Sequence, residues 1–159
     1  MTSIIGSFQK YYNDVLTIIK IFEKENIKVC SPKYSQIIKN DNGFVILSSD
    51  NLSYSNEDIQ LIALHRILRS NFVYVWNPDG YIGKTTSYEI GRIIERKIPI
   101  FFKDNPIDLP IYIQKNNVIS VENLINYIKN NKSVPNTFEF EDSLTFQLHT
   151  KLFNNDYIE

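Results

Sequence analysis

The chain has 159 residues, a formal charge of −1 and one cysteine, Cys30, a length that suits one domain with a full core. With 43% hydrophobic and 22% charged residues it has ordinary globular composition, and the lack of a long basic run argues against a nucleic-acid polymer as partner. A single cysteine excludes an internal disulfide, no apolar run approaches the roughly 18 residues of a membrane span, and no signal peptide is read at the start, so a cytoplasmic protein is expected.

Ser3 to Ser7 reads as a short first strand that ends around the permissive Gly6. Tyr11, Val15, Ile18, Ile19 and Phe22 then recur at helical spacing and predict an amphipathic first helix. Ile27 to Cys30 reads as a second strand, stopped by Ser31-Pro32, with Cys30 a small buried hydrophobe rather than a nucleophile. Lys33 to Asp50 is the least periodic stretch; within it Phe44 to Leu47 has strand composition and Ser48-Ser49-Asp50 reads as a polar turn. Ser55-x-x-Asp58 has the form of a capping box, opening a helix that runs to about Arg69. Ile59, Leu61, Ile62, Leu64, Ile67 and Leu68 lie almost all round that helix, which predicts deep burial.

Phe72 to Trp76 is an unbroken apolar run of β-branched and aromatic residues, the composition of a buried central strand. Asn77-Pro78-Asp79-Gly80 ends it, because proline cannot donate to a ladder and Asp-Gly favours a tight turn. The glycine-rich loop then enters a helix carrying Ile90, Ile93 and Ile94. Ile98 to Phe102 reads as the next strand, Pro106 and Pro110 mark a loop, and Asn117 to Ser120 reads as a last strand. Val121, Leu124, Ile125 and Ile128 put one apolar stripe on a last helix. The alternation predicts an α/β fold over residues 1–131: a Rossmann- or flavodoxin-like parallel sheet flanked by helices. Residues 132–159 form an apolar C-terminal extension, in which Phe138, Phe140, Leu144, Phe146, Leu148, Leu152 and Phe153 are too many for a free tail. It is expected to pack on the domain or on a partner subunit.

Ligands of open α/β sheets bind at the carboxyl ends of strands, which points to the loop after Trp76. Gly83-Lys84-Thr85 looks like the end of a P-loop, but Pro78 stands where that motif needs its first glycine. Gly80-x-x-Gly83 lacks the third glycine of a dinucleotide fingerprint. His65, alone within an apolar helix, reads as a satisfied core group, His149 has no paired base or metal ligand nearby in sequence, and neither a metal nor a cofactor is expected. Glu89 has two readings. Thr86-x-x-Glu89 can be a helix-start capping box, or the carboxyl can be catalytic.

The run Asn77-Pro78-Asp79-Gly80-Tyr81-Ile82-Gly83-Lys84-Thr85-Thr86-Ser87-Tyr88-Glu89-Ile90-Gly91 resembles the signature loop and helix of the nucleoside 2-deoxyribosyltransferase superfamily, which includes the deoxynucleoside 5′-monophosphate N-glycosidases. Gly6-Ser7-Phe8 resembles that family's first sugar-binding loop and Ile98-Pro99-Ile100 the strand after its catalytic helix, so the likeness runs from about residue 3 to 102. It implies that Glu89 is a nucleophile cleaving or exchanging the N-glycosidic bond of a nucleoside or nucleoside monophosphate. The helix start would keep Glu89 ionised and, with Thr85 and Thr86, could hold a 5′-phosphate. It further implies a substrate loop comprising Asn77, Gly80, Tyr81 and Gly83, and a homo-oligomer, most simply a dimer. The family's supporting aspartate on the preceding helix falls on Ala63 here, leaving Asp50 and Asp79 as candidates for its role. Two rival expectations are a glycohydrolase of a larger nucleotide such as NAD, and a module that senses a nucleotide without turnover.

Overall fold

The computed structural model describes residues 1–41, 44–138, 144, 147, 148, 151 and 152. In chain order it contains β1 (Thr2–Gly6), α1 (Phe8–Lys24), β2 (Val29–Ser31), β3 (Ile37–Asp41), β4 (Phe44–Leu47) and α2 (Asn56–Ile67). These are followed by β5 (Phe72–Trp76), a 3₁₀ turn at Pro78–Gly80, α3 (Lys84–Glu95), β6 (Ile100–Phe102), a second 3₁₀ turn at Lys115–Asn117, and α4 (Val121–Asn131). Among the described residues no helix is long and apolar enough to cross a membrane.

β2, β1, β5 and β6 form, in that order, a parallel sheet of four strands flanked by four helices. The α/β expectation therefore stands, and the order is compatible with a doubly wound, Rossmann-like arrangement. Strand alternation sends successive side chains to opposite faces. Ile4, Phe72, Tyr74 and Phe101 meet α1 and α4 on one side, while Ile5, Val73, Val75, Ile100 and Phe102 meet α2 and α3 on the other. On the first face Phe22, Phe72, Tyr74 and Phe101 stack edge-on with ring centroids 6.0–6.1 Å apart. The Tyr74 hydroxyl leaves that core satisfied, donating to the Ile119 carbonyl at 2.9 Å.

Three expectations need correction. Asn117 to Ser120 is not a strand. It holds one parallel bridge, Val118 to Phe102, because the second 3₁₀ turn consumes the residues before it. The aperiodic stretch before Asp50 contains β3, which pairs antiparallel with β4 in a separate hairpin. Helix α2 has its capping box, with Asp58 N donating to Ser55 Oγ at 3.1 Å and Ser55 N to Asp58 Oδ2 at 3.4 Å. It is not buried all round, however. Ile59, Leu64 and Ile67 are inside, whereas Leu61 is 64% exposed and His65 is exposed rather than a core group, since a helix laid on a sheet can bury only one stripe.

Past α4 the chain returns to the free edge of β6, where buried Thr137 accepts from Ile100 N through Oγ1 at 3.2 Å. Gln114 and Asn117 both donate to the Thr137 carbonyl. The extension thus covers an edge strand's unpaired groups as far as Thr137. Leu144, Leu148 and Leu152 are exposed. Phe140, Phe146, His149 and Phe153 lie outside the described residues.

Candidate active site

The sheet order changes direction at β1 and β5, whose last residues, Gly6 and Trp76, are paired in register. A doubly wound sheet leaves its crevice at such a switch point. Gly6 has φ +152°, and a Cβ there would stand 2.4 Å from the Trp76 carbonyl oxygen, so only glycine lets β1 end this close to β5. Beside that end lies a cavity of about 430 Å³, within the range of small-ligand sites.

Glu89 lies on its wall, 7% exposed. The capping reading fails on position. Helix α3 begins at Lys84 with Gly83 as its N-cap, so Thr86 already lies in the first turn and Glu89 in the second. Its carboxyl Oε1 instead accepts from Gln60 Nε2 of α2 at 2.8 Å. Burial pushes the Glu89 carboxyl up to about 7, with the Gln60 hydrogen bond pulling the other way. The helix start therefore does not keep it ionised. Its influence is confined to the first turn, and removal from water disfavours the charge.

The other walls come from five places, of which the end of β2 and the loop after it supply Ser31, Pro32 and Lys33. The β1–α1 loop supplies Gly6, Ser7 and Phe8; the β4 hairpin and its turn supply Phe44, Val45, Leu47 and Asp50. The α3 start supplies Tyr81, Gly83, Lys84, Thr85 and Thr86, and α2 supplies Ile59, Gln60, Ala63, Arg66 and Ile67. Thr86 is buried, whereas Thr85 and Lys84 are exposed at the rim. No side chain caps the α3 start, which leaves its first amides available to an anion. Asp50 accepts from Leu47 N at 2.9 Å through Oδ2, which fixes its carboxylate at the mouth of the hairpin. Lys10 Nζ sits 3.5 Å above the Tyr81 ring, a cation–π contact tying α1 to the loop before α3.

Asn77, Asp79 and Gly80 do not line the cavity, contrary to their assignment from sequence. Asn77, 0% exposed, is a staple between the ends of β5 and β6. Its Oδ1 accepts from Lys103 N at 3.1 Å and Asp104 N at 3.2 Å, and its Nδ2 donates to the Asp104 carbonyl at 2.7 Å. Asp79 adopts φ 57° and its N–H donates to Asp104 Oδ2 at 3.0 Å. Gly80, at φ +76°, is packed so that a Cβ would meet the Asn105 carbonyl at 2.5 Å. The turn holds two strand ends together, and Asp79 is not among the residues that line the cavity.

Gln60, Arg66 and, of the hairpin residues, Phe44, Val45 and Leu47 are not legible in the sequence as site residues. The α2 pair carried one signal: both are polar residues at helical spacing from Ala63 on a stripe bounded by Ile59 and Ile67. Among the described residues no cluster of three or more His, Cys, Asp or Glu could hold a metal ion. No family model, curated protein or solved structure matches this chain.

Proposed function

We propose that the chain cleaves or exchanges the N-glycosidic bond of a (deoxy)nucleoside or nucleoside monophosphate, with Glu89 as nucleophile, in the manner of the nucleoside 2-deoxyribosyltransferases it resembles. The observation that carries this reading is a buried carboxyl on the wall of a nucleoside-sized cavity, held by Gln60 at 2.8 Å and engaged in no helix cap. Glycosyl C1′ parts from its base with oxocarbenium character, and a carboxylate close to it can form a glycosyl ester while the C1′–N electron pair leaves with the base. Water attacking C1′ then gives hydrolysis and a second base gives transfer; either breaks the ester and restores the carboxylate. Gly6, Ser7, Phe8 and Asp50 border the space for the sugar, with Asp50 the acceptor for its hydroxyls. Thr85, Thr86 and the uncapped amides of α3 suit a 5′-phosphate.

Incubation with nucleosides, nucleoside monophosphates and NAD, followed by chromatography of the free base, tests the reading. Base release by the native protein and its loss in Glu89→Gln are expected. Near-normal release by Glu89→Gln would sink the mechanism. Because the nucleophile must be ionised, kcat/KM is expected to rise with pH through about 7 in the unliganded protein.

The working unit we propose is a cytoplasmic homodimer. Leu61 and Tyr88 are 64% and 52% exposed and line a groove that shares Gln60, Thr85 and Phe44 with the cavity. Large apolar groups beside a site are the surfaces that subunits cover.

A further inference from the structure

Arg66 is half-buried on the cavity wall, and among the described residues its guanidinium has neither a hydrogen-bond nor an ion-pair partner. A charge drawn partly out of water is normally paired, and a guanidinium carries five donors in a planar fork. On the α2 wall the residues facing the cavity beyond Gln60 are Ala63, Arg66 and Ile67, so Arg66 is the charged group there. Asp50, the other carboxylate of the lining, is engaged by Leu47 N on the hairpin.

Direction along the wall decides what Arg66 meets. Gln60 marks the position of Glu89, hence of C1′, and Arg66 follows six residues later, about 9 Å along a helix that rises 1.5 Å per residue. The start of α3, with Thr85, Thr86 and Lys84, lies on the other element, and on the N-glycosidic reading it takes the 5′ end of the sugar. With the sugar so placed, we assign the part of the ligand that lies along α2 past C1′ to the base.

We propose that Arg66 reads the base, and that the base is a 6-oxopurine. This rests on the N-glycosidic reading of the cavity. A 6-oxopurine presents two adjacent acceptors, O6 and N7, which a guanidinium fork meets with paired hydrogen bonds. A 6-aminopurine puts a donor against the same fork. When the C1′–N9 bond breaks, its electron pair enters the purine ring and the negative charge spreads to N7 and O6, where the guanidinium stabilises it. The same contact thus selects the base and eases its departure. Arg66 also lies in the last turn of α2, where any cation suits the helix dipole. A role limited to that would be met equally by lysine and would favour no base.

Titration calorimetry on the Glu89→Gln protein, which binds without turnover, provides the test, with deoxyinosine 5′-monophosphate and deoxyadenosine 5′-monophosphate as probes. The oxopurine nucleotide should bind about tenfold tighter or more. Adding Arg66→Lys, which keeps the charge and loses the fork, should reduce that ratio to below about threefold, and adding Arg66→Met should do the same. Equal binding of the two probes, a ratio that survives both substitutions, or no binding of either probe overturns the proposal. Base release by the native protein is scored separately. An Arg66-dependent preference without any release overturns the glycosidic reading and leaves the base site standing, and release without preference does the reverse.

Discussion

Asn77 and Gln60 are both primary amides at the carboxyl end of the sheet, and they spend their hydrogen bonds differently. Asn77 gives two acceptances and one donation to the backbone of Lys103 and Asp104, so the end of β5 is tied to the end of β6. Among the described residues the Gln60 side chain makes one bond, to the Glu89 carboxyl, and keeps its remaining capacity at the edge of a cavity. An amide used up by backbone fixes a fold, because each bond lost there leaves a buried group unpaired. An amide with spare donors and acceptors beside a carboxyl orients that carboxyl and remains available to a ligand. Substitutions at Glu89, Asn77 and Gln60 should therefore separate stability from activity.

Glu89→Gln has the largest expected effect. Base release should fall by at least about 10³-fold, as for loss of a catalytic nucleophile, while the fold gains stability. The sign follows from the carboxyl. Its folded value of about 7 lies above its ordinary value of 4.5, so the native state binds the proton more tightly than the unfolded chain. Native stability then declines as pH rises from about 4.5 to 7, in total by about 3 kcal/mol at roughly 1.4 kcal/mol per pH unit. Glutamine removes that decline. Denaturant unfolding should show no gain at pH 4 and a gain of up to about 3 kcal/mol at pH 8; a gain of equal size at both pH values would mean that the carboxyl is not held protonated.

Asn77→Ala should do the reverse. Unpairing Lys103 N, Asp104 N and the Asp104 carbonyl is expected to cost roughly 2–4 kcal/mol of stability. Turnover per folded molecule, measured well below the unfolding transition, should stay within about threefold of native, since the amide does not border the cavity. A large loss of turnover in fully folded Asn77→Ala would place the turn after β5 back in the site.

Gln60→Leu sharpens the same contrast from the other side. A part-exposed amide with one bond contributes about 1 kcal/mol or less to stability. Its loss should nevertheless lower kcat about tenfold, by leaving the Glu89 carboxyl unoriented. The Gln60 bond pulls the Glu89 carboxyl down, so removing it should move the rising limb of kcat/KM to higher pH. A rate loss with an unmoved pH profile would mark Gln60 as packing alone.

What the sequence made legible follows the range of each signal. The capping box at Ser55 and the five-residue apolar run of β5 are written within one short window, and both appear where expected. The asparagine of Asn77-Pro78-Asp79-Gly80 also reports a local geometry, but its partners lie some 27 residues on in the chain and no pattern near Asn77 names them. Gln60 meets Glu89 across 29 residues, a pairing set by two helices lying on one sheet face. β3 was missed because it belongs to a two-stranded hairpin whose exposed Ile37 and Ile38 leave no clean alternation. Glu89 stands out in the sequence as a candidate, while its pushed-up carboxyl depends on burial that no motif encodes.

The smallest expected effect concerns Gly91, two residues after Glu89. It lies inside α3, exposed, and a Cβ added there meets nothing within 4 Å. Glycine in a helix interior is worth roughly 0.5–1 kcal/mol less than alanine, so a lone protomer should gain about that much from Gly91→Ala. One turn back on the same helix surface stands Tyr88, 52% exposed, which lines the apolar groove with Leu61. If a second copy of the chain packs over this surface, the missing side chain permits close approach, and a methyl group there pushes the two copies apart. Gly91→Ala should then raise the melting temperature at high dilution while weakening association at micromolar concentration. Sedimentation velocity of the two proteins across a dilution series reads the second effect directly. A native protein that remains monomeric, or a dimer indifferent to the alanine, would leave the groove beside Gln60 and Thr85 to some use other than self-association.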